Sequence, residues 1–344
     1  MKKIMMKAAQ FTEFGAKLQI TERPSPSTPE DGVLIEVKAA GVCRSDWHAW
    51  QGHDPDIKSL PHVLGHEFSG TIAAIGERLT GWQIGDRVTA PFACGCGSCV
   101  QCSSGHTQVC PDQYQPGVTG PGAFAEFVAI PRAATNLVRL PESVSFAAAA
   151  SLGCRFATAY RALAHADQAN LQPGEHVAIF GCGGVGLSAV MIARALGAEV
   201  TAIDIRDSAL QSAADLGATP CHFDAIDHLR ADVTVDALGK TETCLAAINS
   251  LKPRGRHVQV GLMLAEDAVP PIPIGAIIAK ELKLIGSHGM GAAGYPELLR
   301  HVASGKLRPD KLIARAISLD QLPDALEQMG VFQTEPGLTI VERF

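Results

Sequence analysis

Apolar residues in the first part of the chain come in short runs broken by proline and glycine. Val33-Leu34-Ile35-Glu36-Val37 is rich in β-branched residues and predicts a strand. A second strand is predicted within Gly65–Ile75, and a third starting at Asp86-Arg87-Val88 after a turn at Gly85. Pro24, Pro26 and Pro29 mark a loop before the first of these. This part reads as β-rich and irregular. Near residue 150 the pattern changes. Leu171-Gln172-Pro173-Gly174-Glu175 is a turn ahead of a strand at His176–Phe180. A helix is predicted over Val185–Leu196, with Gly197 beyond its end. A strand follows at Glu199–Ile203, then a helix capped by Asp207 or Ser208, running to about Leu216 and stopped by Gly217. Ala231–Val235 and His257–Val260 are further strands, and Pro270-Pro271-Ile272-Pro273 is a loop. Strands alternating with helices imply a parallel sheet. The tail carries a helix near Pro296–Ser304 and a closing strand at Leu338–Glu342.

Composition narrows the picture. The 344 residues suit two domains, and 47% hydrophobic residues supply a core for each. Lys+Arg number 29 against 35 Asp+Glu, a net charge of −6, which argues against binding a phosphate backbone. The opening Met1-Lys2-Lys3-Ile4-Met5-Met6-Lys7 has basic residues with no apolar run behind them, so no secretory signal is expected. Val177–Ala193 is uncharged and approaches membrane-spanning length. Its central Gly181, Gly183, Gly184 and Gly186 read instead as strand, turn and helix. Of ten cysteines, five fall between Cys94 and Cys110, which points to metal rather than to disulfides.

Gly181-Cys182-Gly183-Gly184-Val185-Gly186 fits G-x-G-x-x-G between a predicted strand and a predicted helix. Glycines permit the tight turn and the approach of a pyrophosphate, whose charge the helix start stabilises. Asp204 closes the next strand, where its carboxylate can bind ribose hydroxyls and repel a 2′-phosphate; this predicts NAD over NADP. Arg206, two residues on, pulls the other way.

Cys96-x-x-Cys99-x-x-Cys102-x7-Cys110 suits a tetrahedral zinc with four sulfur ligands, a closed and therefore structural site. A nucleic-acid-binding zinc knuckle is an alternative, but no basic patch accompanies it. Cys94 is a fifth nearby thiol, and spacing alone leaves its role as a competing ligand open.

Two further pieces complete a pattern: Gly41-Val42-Cys43-Arg44-Ser45-Asp46-Trp47-His48 and Gly65-His66-Glu67. With the cysteine run and the glycine-rich turn, they resemble the zinc-containing medium-chain dehydrogenases, with a close likeness to yeast- and bacterial-type alcohol dehydrogenases. The resemblance spans Val33 to about Ser287. It implies an α/β fold. A GroES-like, β-rich catalytic domain would take residues 1–151 and 289–344, and an inserted Rossmann domain, a doubly wound parallel sheet, residues 152–288. The active site would lie in the cleft.

The resemblance also implies two zinc ions per subunit. Cys43, His66 and Cys154, the last within Leu152-Gly153-Cys154-Arg155-Phe156-Ala157-Thr158, match the ligands of a catalytic zinc. Cys96, Cys99, Cys102 and Cys110 match those of the structural one. Glu67 matches a glutamate that can transiently join the metal, and Asp46 a carboxylate that orients His66. Ser45 matches the hydroxyl beside the substrate oxygen. His48 matches the outer end of a relay running from alcohol through Ser45 and the cofactor ribose to solvent. Arg44 matches a pyrophosphate ligand, Thr158 a nicotinamide contact and Phe92 an aromatic wall of the substrate pocket, which Trp47 and Leu262 would extend. In one departure, Leu338 stands where many relatives carry a cofactor-binding arginine.

A zinc with three protein ligands and an open position is catalytic. It would polarise an alcohol oxygen while the nicotinamide takes the hydride. Ser45 and Phe92 lead us to expect medium-chain or aromatic primary alcohols, with some secondary alcohols accepted. Polyol and threonine dehydrogenases share this machinery and are the alternative. A non-enzymatic binding protein is disfavoured by the full set of ligands, Ser45 and His48. The expected partner is a small alcohol or aldehyde, not nucleic acid or a membrane. Lys283-Leu284-Ile285-Gly286-Ser287 could be an apolar edge strand that pairs with a second chain. Relatives of this length imply a homotetramer, a dimer of dimers, and the expected location is the cytoplasm.

Overall fold

The computed structural model describes residues 4–330 and 337–344. The chain divides into two compact units: one runs up to Cys154 and resumes at Gly289, and the other spans Arg155–His288.

The first unit is β-rich. Among the described residues its larger sheet runs in the order Ile313–Ser318, Leu338–Arg343, Val33–Val42, Glu67–Ile75, Arg87–Thr89, Val138–Arg139, with Phe127–Ile130 also paired to Val33–Val42. Val33–Val42 is central and almost wholly buried, which suits its Val, Leu, Ile and Ala content. Its Ile35 packs with Leu64, Phe68, Ile72, Val88 and Phe124 in the core. The antiparallel register pairs Gly41 with Glu67. That register places Cys43, just past the end of one strand, near His66, just before the start of the other. Leu338 is buried in this sheet, in register with Ile313.

Two strands here are invisible to the hydrophobic pattern. Met5–Phe11 is built from Met, Lys, Ala and Gln before a single Phe, with no β-branched residue. Its partner Gln19–Pro24 is an edge strand with no buried residue, so it carries almost no apolar signal.

The second unit is a six-stranded sheet, parallel throughout, in the order Thr219–His222, Glu199–Asp204, His176–Phe180, Ala231–Asp236, Leu251–Gln259, Lys283–Gly286. Numbered along the chain within this sheet, that is the doubly wound 3-2-1-4-5-6 order of dinucleotide-binding folds. Val177–Ala193 falls into the strand His176–Phe180 and the helix Gly184–Ala195. No helix among the described residues is long and apolar enough to cross a membrane.

Two boundaries differ from expectation. The strand expected at His257–Val260 begins at Leu251, because pairing with Ala231–Asp236 through a register shift tolerates Pro253 and Gly255. The helix Asp207–Asp215 is not capped by Asp207 or Ser208. Its N-cap is Arg206. Asp204 Oδ1 instead accepts the backbone N–H of Ile205 and Arg206, at 2.9 and 3.0 Å.

Candidate active site

Cys43 directly follows the central strand and is the N-cap of the helix Arg44–Trp50. Asp46, at the third position of that helix, is buried, and its carboxylate serves two segments at once. Oδ2 accepts the Cys43 N–H at 2.9 Å. Oδ1 accepts the Gly65 N–H at 3.2 Å and lies 2.8 Å from His66 Nδ1. With Nδ1 donating to Asp46, His66 Nε2 carries the lone pair. That atom is buried and has no hydrogen-bond partner. The third segment is a π-turn, Leu152–Phe156, a conformation that recurs at functional sites. Its Cys154 N–H donates to Oε1 of the fully buried Glu67 at 2.9 Å. Tyr295 donates its hydroxyl to the Gly153 carbonyl at 3.2 Å. Glycine is required at 153, since a Cβ there would come within 2.8 Å of the Glu67 Cα. Burial, then the negative charges of Cys154 and Glu67, push the Tyr295 hydroxyl upward and keep it a donor.

The donor atoms of Cys43, His66 and Cys154 all lie within 4.8 Å of one another. One imidazole nitrogen and two sulfurs, with a buried lone pair aimed among them, fit zinc with a position to spare. The electrostatics agree. Burial works against an imidazolium at His66, yet Asp46 and Cys43 outweigh it and hold the imidazole well above its ordinary pKa. Positive charge is favoured where a cation would sit. Beside this group, the half-buried Ser45 hydroxyl lies 3.8 Å from Cys43 Sγ. Phe92 meets the His66 ring edge-on, with centroids 6.1 Å apart.

Further along the helix, the Arg44 guanidinium lies 4.2 Å over the Trp47 ring and donates to the Met329 carbonyl. Trp47 also meets His48 and His53 edge-on. His48 is half-buried and pairs with the exposed His53.

The cysteine lobe is the second metal cluster. Cys96 and Cys102 sulfurs are 3.9 Å apart, and those of Cys99 and Cys110 3.7 Å. A tetrahedral zinc with metal–sulfur bonds of about 2.3 Å separates its sulfurs by about 3.8 Å. Backbone N–H groups of Ser98 and Cys99 point at Cys96 Sγ, at 3.4 and 3.3 Å. Chiefly through the Ser98 donors, they lower its pKa to about 6. Cys94 is excluded from the cluster. Its thiol is fully buried, donates to the Pro91 carbonyl at 3.3 Å and is pushed up by burial to about 12. Asn136 clamps the start of the lobe by accepting from and donating to the backbone of Gly95.

In the second unit the glycine-rich turn has the required shape. Gly181 has φ +93°, and a Cβ on Gly186 would lie 1.7 Å from the Gly181 carbonyl oxygen. Gly183 is the exposed N-cap, and Gly184 and Val185 open the helix. Asp204 Oδ2 accepts the Cys182 N–H at 2.8 Å, so it braces the turn as well as facing its neighbourhood. Its Oδ1 pairs with Arg206 Nε at 3.3 Å. Thr158 is buried in the helix Ala157–Ala164, and Leu262 is 55% exposed.

Sequence reading missed Tyr295, 142 residues from its partner, and Asp236. Asp236 ends its strand fully buried, accepting from Leu238, Gly239, Thr243 and Gln259 to shape the loop beside Gly181. An acid at the carboxyl end of a parallel strand, followed by Ala-Leu-Gly, was the available signal.

Residues 29–142 match the alcohol dehydrogenase GroES-like domain, and residues 184–304 match the zinc-binding dehydrogenase model. The chain is 35% identical to an alcohol dehydrogenase of Geobacillus stearothermophilus, over 94% of this chain and 96% of that protein. It is 30% identical to an NAD-dependent alcohol dehydrogenase of Sulfurisphaera tokodaii, over 95% and 97%. Among solved structures, the alcohol dehydrogenase TADH from Thermus sp. ATN1 superposes with a TM-score of 0.89 at 30% identity, covering 98% of this chain and 100% of that one. The chain belongs to the zinc-dependent medium-chain alcohol dehydrogenase family and is an oxidoreductase.

Proposed function

We propose that this protein reversibly oxidises primary alcohols, and some secondary ones, to aldehydes and ketones with NAD as hydride acceptor. The observation that carries this is the buried Cys43, His66, Cys154 group with its unpartnered Nε2. Zinc bound there supplies a Lewis acid that makes an alcohol oxygen more acidic, and the nicotinamide supplies the hydride acceptor. The remaining work belongs to the chain. Asp46 fixes the tautomer and direction of His66. Glu67 and Tyr295 fix the π-turn that presents Cys154. Ser45, next to Cys43, is placed to take the alcohol proton, and His48 to pass it towards water. Phe92 supplies an apolar wall against His66, which favours alkyl and aromatic substrates over polyols.

The glycine-rich turn cradles the dinucleotide. Asp204 supports NAD over NADP, and Arg206 Nε is engaged with its carboxylate at 3.3 Å. Arg44 is the pyrophosphate ligand, with Trp47 stacked beneath it. The Lys283–Gly286 edge strand, with Leu284 40% exposed, supports a dimer by sheet extension, and the resemblance to the family leads us to propose a tetramer of two such dimers. Ten cysteines with no disulfide among them fit the cytoplasm.

The test is NADH formation by zinc-replete protein from ethanol, hexanol, benzyl alcohol, 2-butanol, sorbitol and threonine, each with NAD and NADP. Rapid turnover of the simple alcohols with NAD is expected. Preference for sorbitol or threonine would move the enzyme to another branch, and preference for NADP would mean that Arg206 outweighs Asp204.

A further inference from the structure

The helix Arg44–Trp50 ends in a turn that brings two histidines together. Gly52, at φ +81°, sits one residue beyond the C-cap Gln51. The His53 N–H bonds to the His48 carbonyl at 3.0 Å, and the Gly52 N–H to the Ala49 carbonyl at 3.1 Å. These are the 6→1 and 5→2 bonds of a Schellman motif, which folds the residue after the glycine back onto the last turn of the helix. That residue usually supplies an apolar contact to the last turn. Here both positions hold imidazoles. His48 Nδ1 and His53 Nδ1 are 3.1 Å apart, with ring centroids 5.4 Å apart. At that distance one Nδ1 carries a proton and the other accepts it. Trp47 meets both rings edge-on, at 5.0 and 5.9 Å, and fixes their orientation. His48 is half-buried and His53 exposed, so the pair leads outward.

We propose that His53 completes the proton relay as a positioning residue, accepting the Nδ1–H of His48 and stabilising the imidazolium formed when His48 receives a proton, before that proton leaves to solvent. The inference rests on the reading of His48 as the relay's outer imidazole. His48 Nδ1–H donates to His53 Nδ1. A proton arriving at His48 Nε2 makes an imidazolium whose charge that hydrogen bond shares with His53, and a proton then leaves His48 Nε2 to water. One proton enters and one leaves, and both rings return to their starting tautomers. Arg44 lies over the Trp47 ring that both imidazoles meet, and Asp54 directly follows His53.

The experiment compares full-length, zinc-replete wild type with His53→Asn and His53→Phe. Phenylalanine keeps a ring against Trp47 and removes the nitrogen. The ¹⁵N signals of both imidazoles are followed from about pH 5 to 9 without cofactor or substrate. In the wild type the two rings should titrate as one coupled system in two steps, and in both variants His48 should titrate alone in one step. Near neutral pH, both variants should lose about threefold to tenfold in kcat, a fraction of what a full general acid–base group contributes, with KM for the alcohol unchanged. Imidazole buffer should restore the rate. Independent titration of His48 and His53 in the wild type would overturn the proposal, as would wild-type kcat in His53→Phe or failure of imidazole to restore either variant. The wild type's own turnover reports separately on the alcohol dehydrogenase reading, while the titration reports on the couple.

Discussion

Asp46 Oδ1 lies 2.8 Å from His66 Nδ1 while the same carboxylate accepts the backbone N–H of Cys43 and of Gly65. One buried acid thus aligns two zinc-ligand segments that lie far apart in sequence. Asp46→Asn should lower the zinc affinity of the Cys43, His66, Cys154 site by about 10–100-fold, as loss of an imidazole's carboxylate partner commonly does. Competition with a chromogenic chelator measures this directly. The cysteine lobe, which has no contact with Asp46 among the hydrogen bonds described, should hold its zinc unchanged.

The two sulfur environments make a clean contrast. Cys94→Ala should leave two zinc equivalents per chain, because that thiol faces the Pro91 carbonyl. Cys96→Ser should leave about one, since a closed structural site needs all four thiolates. Elemental analysis of the purified variants decides it. Loss of a zinc from Cys94→Ala would make Cys94 a ligand.

A methyl group at residue 186 has nowhere to go. With its Cβ 1.7 Å from the Gly181 carbonyl oxygen, Gly186→Ala must push the turn away from the helix. Overpacking of this kind costs about 1–3 kcal/mol. Thermal unfolding should move to lower temperature, and NADH binding, followed by fluorescence, should be largely lost.

Asp204 has two duties, and two substitutions separate them. Asp204→Asn keeps an oxygen for the Cys182 N–H and loses the charge. It should raise use of NADP relative to NAD by about tenfold, the equivalent of about 1.4 kcal/mol. Asp204→Ala also strands the Cys182 N–H, so it should weaken both cofactors further, by about 1 kcal/mol. Equal NAD and NADP profiles for wild type and Asp204→Asn would show that the carboxylate does not select the cofactor.

Much of this was legible in the chain. The strand His176–Phe180, the glycine-rich turn, the following helix and Asp204 announce themselves because local steric and electrostatic demands act over neighbouring residues. The four-cysteine run is equally local. Cys43, His66 and Cys154 carried little signal singly and were found through resemblance; the structure adds that strand register and a π-turn bring them together. Tyr295 was not found, because a buried hydrogen bond to a distant backbone leaves no periodic trace; Asp236 binds its own following loop, and its only trace was an acid at a strand end before Ala-Leu-Gly. Met5–Phe11 was missed for a different reason: its Ala and Lys residues become a strand only through pairing with Gln19–Pro24 and His62–Val63. Leu338, expected where relatives place a cofactor arginine, is buried in the sheet. On the proposal that Arg44 is a pyrophosphate ligand, a leucine in place of that arginine predicts faster NADH release, and an NADH dissociation constant as tight as that of relatives with the arginine would contradict it.

Cys43, His66 and Cys154 together form the site for the metal on which alcohol oxidation depends. The most direct measurement is the initial rate of NADH formation from benzyl alcohol by zinc-replete wild type and by Cys154→Ala, with zinc content determined on the same samples. Wild type should hold two zinc ions and turn over. Cys154→Ala should keep the lobe zinc, lose the other and show no turnover above background. Equal rates in the two proteins, or an inactive wild type with both zinc ions in place, would contradict the account.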